Sequence, residues 1–588
     1  MNMFGNWENT LKINSLLILL SILLPTFGIS NSAMAAEKIY ASYSALEISI
    51  PIRVLESYAK YGIINTDLGG YYQYIPTNQL EEFRKILIQP LKISPSVAAQ
   101  FLDTQQGQFI LQRLTELIKT SFYTQESKSQ ALRTALIAAA ADPEGLNLLN
   151  LLRNYPHNSI SIDVAFGMQI ARELENIIST TQEAITTIKQ LSDLEAEKTF
   201  VNKLSDLSKL GNYPNLFIKK QTLKFLDSIR HRHLFTDIYI PYTQKPAPVI
   251  IISHGLGLDS SNFRYLANHL AKHGFAVVIP NHPGSDTQQL QSLIEGNNNQ
   301  VTEANEFIDR PLDIKYILDQ LEADPKFQGR LNLEQVGVFG QSLGGYTALA
   351  LAGAKINFQQ LQKDCDDEKL RSTWNMSLLL QCRALELSKQ SQVGDNLQDP
   401  RIKAAIAVNP ITSSIFGQGG LSQIHTPVMI VGSSEDTVAP ALYEQILPFS
   451  WITHPEKYLA MLMGGTHFST IGNSNPDSRQ MALSKDMVGD ASQAYNYINA
   501  LSLPFFQIYV ANKPEYLSYL NAAYVKSISR QSLGLNLVQS LDLIKLAPIL
   551  GDNPQAEKQE KKLSHTIVYF GFWLLGIAAS LLHLCIFY

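Results

Sequence analysis

The chain has 588 residues, of which 45% are hydrophobic and 17% charged, with a net charge of -5; this length exceeds one ordinary domain, and the composition is that of a globular protein. The negative balance argues against a nucleic-acid surface, and the absence of a phosphate loop, a dinucleotide fingerprint or a metal-ligand motif implies no cofactor. The basic spot Arg230-His-Arg-His233 reads as solvated turn residues, because no matching ligand cluster accompanies it.

Residues 1–36 predict a secretory signal peptide. Lys12 precedes an apolar core from Ile13 to Leu24, followed by Pro25 and the small-residue run Ser32-Ala-Met-Ala-Ala36, with cleavage expected near Ala35 or Ala36. An uncleaved N-terminal anchor is the alternative, since the leading region is poor in Lys and Arg. Residues 37–207 predict a mainly helical domain. Apolar residues recur at three- and four-residue spacing over Leu80 to Leu91, Val97 to Leu102, Gly107 to Thr120, Ser127 to Ala141, Gly145 to Asn154 and Ala165 to Leu194, after a short strand around Leu46 to Pro51. No cluster of acids with His or Cys occurs there, so the unit reads as a packing or interaction module, with helices that could also cover an active-site mouth or touch lipid.

Residues 208–543 alternate buried-strand and helix patterns, which predicts an α/β domain with a mostly parallel sheet and helices on both faces. The strand Pro248-Val-Ile-Ile-Ile-Ser253 ends in His254-Gly-Leu-Gly257, before a helix from Asn262 to His273. Further on, the β-branched run Gln335-Val-Gly-Val-Phe leads into Gly340-Gln-Ser-Leu-Gly344 and then a helix-forming Ala/Leu segment. A serine that attacks a carbonyl must stand on a sharp strand-to-helix turn flanked by residues without side chains, so Ser342 is the candidate nucleophile. The insert 355–399 follows, with Cys365 and Cys382 either bridged or present as two thiols. It reads as a lid or substrate-pocket wall, the alternative being a surface excursion. After the strand Ile402 to Val408, the strand Pro427 to Val431 precedes Asp436, the candidate acid, with Glu435 as its neighbouring alternative. The strand Lys457 to Leu462 runs into Gly464-Gly-Thr-His467, which offers His467 as the base. The order Ser, Asp, His is the one an α/β-hydrolase requires, and the oxyanion donors expected are the backbone N-H groups of Leu256 and Leu343.

A polar linker, 544–565, leads to 566–588, which lacks Asp, Glu, Lys and Arg and carries Tyr569, Phe570, Phe572, Trp573, Phe587 and Tyr588 near its ends. That pattern predicts a transmembrane helix, the alternative being a buried core helix. With the signal peptide it predicts a membrane-tethered, exported body; Lys558, Lys561 and Lys562 beside the helix favour the opposite topology.

Taken together, Ser253-His-Gly-Leu-Gly-Leu-Asp259, Leu266 to Ala276, Pro280-Asn-His-Pro-Gly284 and Asp309-Arg-Pro-Leu-Asp313 resemble the platelet-activating-factor acetylhydrolase and predicted dienelactone-hydrolase-like branch of the α/β-hydrolases. The resemblance covers about residues 217–543 and implies hydrolysis of an ester, including lipid esters with a short or modified acyl chain. The chain departs from it twice. Acetylhydrolases of this branch carry the acid after the strand that follows the elbow helix, where this chain has Val408-Asn-Pro410, and dienelactone hydrolases use cysteine where this chain has Ser342. The unit at 37–207 is similar to an uncharacterised domain preceding some predicted bacterial hydrolases. The function expected is a serine carboxylesterase or lipase acting on a small-molecule or lipid ester, through a Ser342, Asp436, His467 triad. The same triad would serve an acyltransferase or peptidase. The competing reading from a different class is a membrane-tethered binding or scaffold protein on a vestigial hydrolase fold.

Overall fold

A small sheet that local sequence barely announces holds the N-terminal part. The protein was analysed as a computed structural model that describes residues 36–541, except 44–45, 64–80, 82–83, 86, 91–93, 120–124, 199–215, 367–368, 371–372, 374, 390–396 and 473–490. In it β1 (Lys38–Tyr43) pairs antiparallel with β2 (Leu46–Pro51) and parallel with β3 (Ser159–Asp163). The sequence predicts only β2. Strands β1 and β3 are short and mix polar with apolar residues, and their partnership joins distant parts of the chain, so no local periodicity reveals it.

Helix α1 (Ile52–Tyr61) follows β2 directly, where the sequence predicts no helix, while α2 (Pro95–Asp103), α3 (Gln105–Glu116), α4 (Gln125–Ala140) and α5 (Leu148–Arg153) follow the predicted periodic segments. Local chemistry sets their starts. Ser94 caps α2 by accepting from the Val97 N-H, with Pro95 at the first helical position, and Thr104 caps α3 through Gly107 N-H. The long α6 (Val164–Lys198) then reaches into the rest of the protein. Its Ala184, Ile185 and Ile188 are buried in the same apolar cluster as the strands of the larger sheet. Ser192 accepts from the Leu537 N-H, and Asp193 pairs with Lys526.

The larger sheet has nine strands in the order β12-β11-β10-β9-β8-β6-β7-β5-β4. At one edge lies the hairpin β4 (Ile218–Asp227) and β5 (Arg232–Pro241), whose outer strand alternates between exposed and partly buried residues. At its centre β6 (Ala247–Ser253), β7 (Ala276–Pro280), β8 (Leu331–Gln341), β9 (Ile402–Val408), β10 (Val428–Ser433) and β11 (Lys457–Met463) run parallel. Their Val, Ile, Leu and Ala runs are buried almost end to end, as strands covered on both faces must be. Antiparallel β12 (Gly534–Val538) closes the other edge.

Helices α7 (Arg264–Lys272), α8 (Thr287–Ile294), α9 (Glu306–Ala323) and α10 (Leu343–Leu351) connect the central strands. Within the predicted insert lie α11 (Phe358–Asp364) and α12 (Met376–Cys382), and α13 (Ala491–Tyr509) precedes α14 (Ala522–Ile528). Two buried clusters, one on each face of the sheet, make the core. In such a sheet the loops beyond the carboxyl ends of the parallel strands are the natural binding crevice. The residues at 254, 342, 409, 436 and 467 all follow those ends. Among the described residues no helix is long and apolar enough to cross a membrane. The predicted signal segment short of Ala36, the 544–565 linker and the 566–588 helix lie outside the described residues.

Candidate active site

Strand β8 is buried to its end and turns abruptly into α10, itself buried on every side. Ser342 sits at that turn with φ 56 and ψ -119. For a residue with a Cβ this conformation costs about 1–3 kcal/mol, and it persists only where the surroundings impose it. Here Ser342 N-H donates to Val408 O at 2.8 Å and Ser342 O accepts from Tyr346 N-H at 3.1 Å. The two glycines of the motif are sterically obligatory. A Cβ on Gly340 would fall on the Gly344 carbonyl, and one on Gly344 would fall on the carbonyl of Ser253 at the end of β6.

Asp436 and His467 come together from the loops after β10 and β11. His467 Nδ1 lies 2.6 Å from Asp436 Oδ2, and both residues are buried. The other carboxylate oxygen accepts from the Val438 and Ala439 N-H groups at 2.9 and 2.7 Å. Both oxygens of Asp436 therefore have hydrogen-bond donors. Glu435 is exposed; its backbone N-H donates to Gly465 O, which ties the two loops together.

Two side-chain amides converge on the backbone of the histidine loop. Gln341 Nε2 donates to His467 O at 3.2 Å, and Asn409 Nδ2 donates to the same oxygen at 3.3 Å and to Thr466 O at 3.4 Å. Asn409 is fully buried and has φ 43. Sequence reasoning noted Asn409 only as the absence of an acid and passed over Gln341 altogether. The available signal was position, since each stands at the carboxyl end of a central strand and has a side chain able to donate.

Below the His254-Gly-Leu-Gly257 loop lies a buried polar cluster that corrects the reading of Arg230-His-Arg-His233 as solvated. Arg232 pairs bidentately with Asp313 at 2.8 Å and with Glu306 at 2.7 Å, while Arg230 pairs with Asp227, Asp309 and Asp313. Only His231 and His233 of that run face solvent. The correction has a long-range cause, because every carboxylate but Asp227 comes from α9, far along the chain. Burial pushes the Glu306 carboxyl up to about 7 even though Arg232 opposes the shift.

His282 donates from Nδ1 to Asp313 at 3.0 Å and accepts from Ser253 Oγ at Nε2, an assignment fixed by the carboxylate's inability to donate. His254 Nε2 accepts the His282 N-H at 3.0 Å, so its proton is on Nδ1, 2.7 Å from Gly255 O. Burial, then the nearby Arg310 charge, holds both imidazoles well below their usual pKa and therefore neutral. Leu256 is half-buried in this loop and Leu343 opens α10. Among the described residues neither backbone N-H donates to another protein group.

The insert reaches both sides of this crevice. Cys365 and Cys382 are joined by a disulfide, Ser377 N-H donates to Val438 O beside Asp436, and Arg383 Nη2 donates to Gln300. Gln381 and Glu444 bind it to the loop after β9: Gln381 Oε1 accepts from the Ser414 and Ile415 N-H groups, and Glu444 Oε2 from those of Thr412 and Ser413. Among the described residues no group of His, Cys, Asp and Glu is arranged to hold a metal ion.

Family comparison adds to this geometry. Residues 35–163 match a family described as alpha/beta hydrolase of unknown function (DUF1400), and residues 248–360 match the alpha/beta hydrolase fold family. No curated protein matches the chain. The second match runs from β6 through the His254 loop and Ser342 into the insert, while the first covers N-terminal elements in which the sequence alone offered no chemistry. With a mostly parallel nine-stranded sheet and a serine on a strained strand-to-helix turn, the chain carries the α/β-hydrolase fold.

Proposed function

We propose that the protein is a serine carboxylesterase or lipase that cleaves small or lipid-derived esters through an acyl-enzyme. The observation that carries this reading is the pairing of His467 Nδ1 with a fully satisfied Asp436, in the loops beside a serine held at positive φ. With Nδ1-H given to the carboxylate, Nε2 takes the proton from Ser342 as its oxygen attacks the ester carbonyl. The negative charge that develops on the carbonyl oxygen is met by the Leu256 and Leu343 N-H groups. The imidazolium then returns its proton to the departing alcohol, and water, activated by the same nitrogen, releases the acid.

A fluorophosphonate probe is expected to label the purified full chain at Ser342, and Ser342→Ala to abolish both labelling and cleavage of p-nitrophenyl esters. Folded protein that is not labelled would overturn the reading. A chain-length series of acyl esters and phospholipids on the same preparation separates esterase from lipase. The resemblance to the acetylhydrolase branch and the insert over the crevice support a lipid-derived substrate with a short or modified acyl chain.

The signal-like segment at 1–36 and the apolar stretch 566–588 support a body exported and tethered to the membrane at its C-terminus. In sealed, inside-out vesicles carrying the full chain, whose cytoplasmic face is turned outward, that arrangement encloses the body in the lumen. External protease is then expected to leave it intact until detergent opens the vesicles; digestion in the sealed vesicles would refute export.

A further inference from the structure

Among the largest fully buried side chains is Arg310, on the first turns of α9 beneath the oxyanion loop. Its Nη2 donates to the His254 carbonyl at 2.5 Å, while Nε and Nη1 have no hydrogen-bond partner among the described residues. Glu306 and Asp313 stabilise its charge through space, but both carboxylates already have Arg232 as a direct partner. Burying a guanidinium costs several kcal/mol unless hydrogen bonds offset it, and Arg310 recovers little of that through its own bonds. A residue that is poorly matched for stability at such a place is expected where function requires it.

What its bond controls can be followed peptide by peptide. The His254 carbonyl is held by Arg310, and the ring of the same residue is held by the His282 N-H at Nε2. Ring and carbonyl together fix where Nδ1-H points, which is at Gly255 O, 2.7 Å away; Leu258 N-H approaches that same oxygen at 3.3 Å. The peptide unit is planar and trans, so a fixed Gly255 C=O fixes the Leu256 N-H in the opposite direction. One residue further, Gly257 N-H is tied to Ser285 O at 2.9 Å, which anchors the far end of the loop. Arg310 Nη2 also lies 3.2 Å from His254 Nδ1. Since Nδ1 already carries the proton that binds Gly255 O, the carbonyl is the acceptor of the Arg310 bond.

We propose that Arg310 is a positioning residue for oxyanion stabilisation: by holding the His254 carbonyl it fixes the loop in which Gly255 C=O is turned away and Leu256 N-H meets the oxygen under attack. This rests on the serine-hydrolase reading above. Arg310 touches no substrate; it acts through His254 and Gly255. Its contribution belongs to the transition state, because the Leu256 N-H is worth most when the carbonyl oxygen becomes an oxyanion.

The test uses the full chain with Arg310→Met and Arg310→Lys, measuring kcat and KM for a p-nitrophenyl ester, Tm, and inhibition by a trifluoromethyl ketone, which forms a tetrahedral adduct. Loss of a whole oxyanion donor costs about 10²–10³ in kcat, so a misaimed one is expected to cost about 30-fold to 100-fold in Arg310→Met. KM and Tm should stay near wild type while ketone affinity falls with kcat. Arg310→Lys keeps a cation in the cavity without the planar fork and is expected to lose only about threefold to tenfold. A merely structural role would lower Tm and leave kcat and ketone affinity of the folded fraction unchanged, and that result overturns the proposal. Should Arg310→Met not fold, Arg310→Lys decides, since wild-type kcat and ketone affinity there overturn it equally. Wild-type protein whose Ser342 is not labelled would overturn the hydrolase reading and this proposal together; labelled wild type with unchanged variants removes the Arg310 role alone.

Discussion

Asp436→Asn is expected to lower kcat by about 10⁴ with little change in fold, the loss typical when a triad carboxylate becomes an amide. The geometry gives the reason. Asp436 Oδ1 accepts two backbone N-H groups, from Val438 and Ala439, so in the variant the amide oxygen must stay there and the NH₂ must take the Oδ2 position facing His467. An NH₂ in that place donates to Nδ1 and leaves the proton on Nε2, where it cannot accept one from Ser342. The double variant Asp436→Asn with Asn409→Asp tests whether an acid placed after β9 can serve in its stead. It should not. Asn409 donates to the Thr466 and His467 carbonyls, and a carboxylate there would face both oxygens with nothing to donate. Steady-state kinetics decides, and recovery of more than about tenfold over the single variant would show that the acid is wrongly assigned.

Gly344→Ala is expected to destabilise the protein by about 2 kcal/mol or more and to remove most of the activity. In an ordinary helix the same change is stabilising by about 1 kcal/mol, so the sign itself is diagnostic. Gly344 lies in the first turn of α10, and its added carbon would fall on the Ser253 carbonyl, a backbone atom inside a buried central strand that cannot turn aside. Either α10 tilts and carries Ser342 with it, or β6 moves and shifts the His254 loop. Thermal unfolding with esterase assays on the folded protein reads both effects. A Tm at or above wild type, with normal kcat, would contradict the steric account of the elbow.

Much of the site is legible in the chain because its landmarks are local. A run of β-branched residues before Gly-x-Ser-x-Gly states both the strand and the turn, and β6, β9, β10 and β11 coincide within a residue or two with the apolar runs that predict them. Asp436 and Glu435 differ in a way no local pattern resolves, because adjacent residues in a loop are equally able to reach a histidine. Their burial separates them, with Asp436 turned inward on two N-H groups and Glu435 in solvent. Arg230 and Arg232 were misread for a related reason. Apart from Asp227, their partners Glu306, Asp309 and Asp313 lie on a helix two strands later, where the absence of a metal-ligand cluster says nothing about ion pairing.

The sequence by itself determined the central strands β6, β8, β9, β10 and β11, the serine on its turn and the histidine after the last parallel strand, since these depend on side-chain periodicity and on the steric demands of a few consecutive residues. Only the tertiary structure decided which carboxylate meets His467, that Gln341 and Asn409 hold its backbone, that β1 and β3 pair, and that Arg310 grips the His254 carbonyl. Each of these is a hydrogen bond between residues distant in the chain. Such bonds form where the packed sheet brings donors and acceptors together away from water, and short-range pattern carries no record of that meeting.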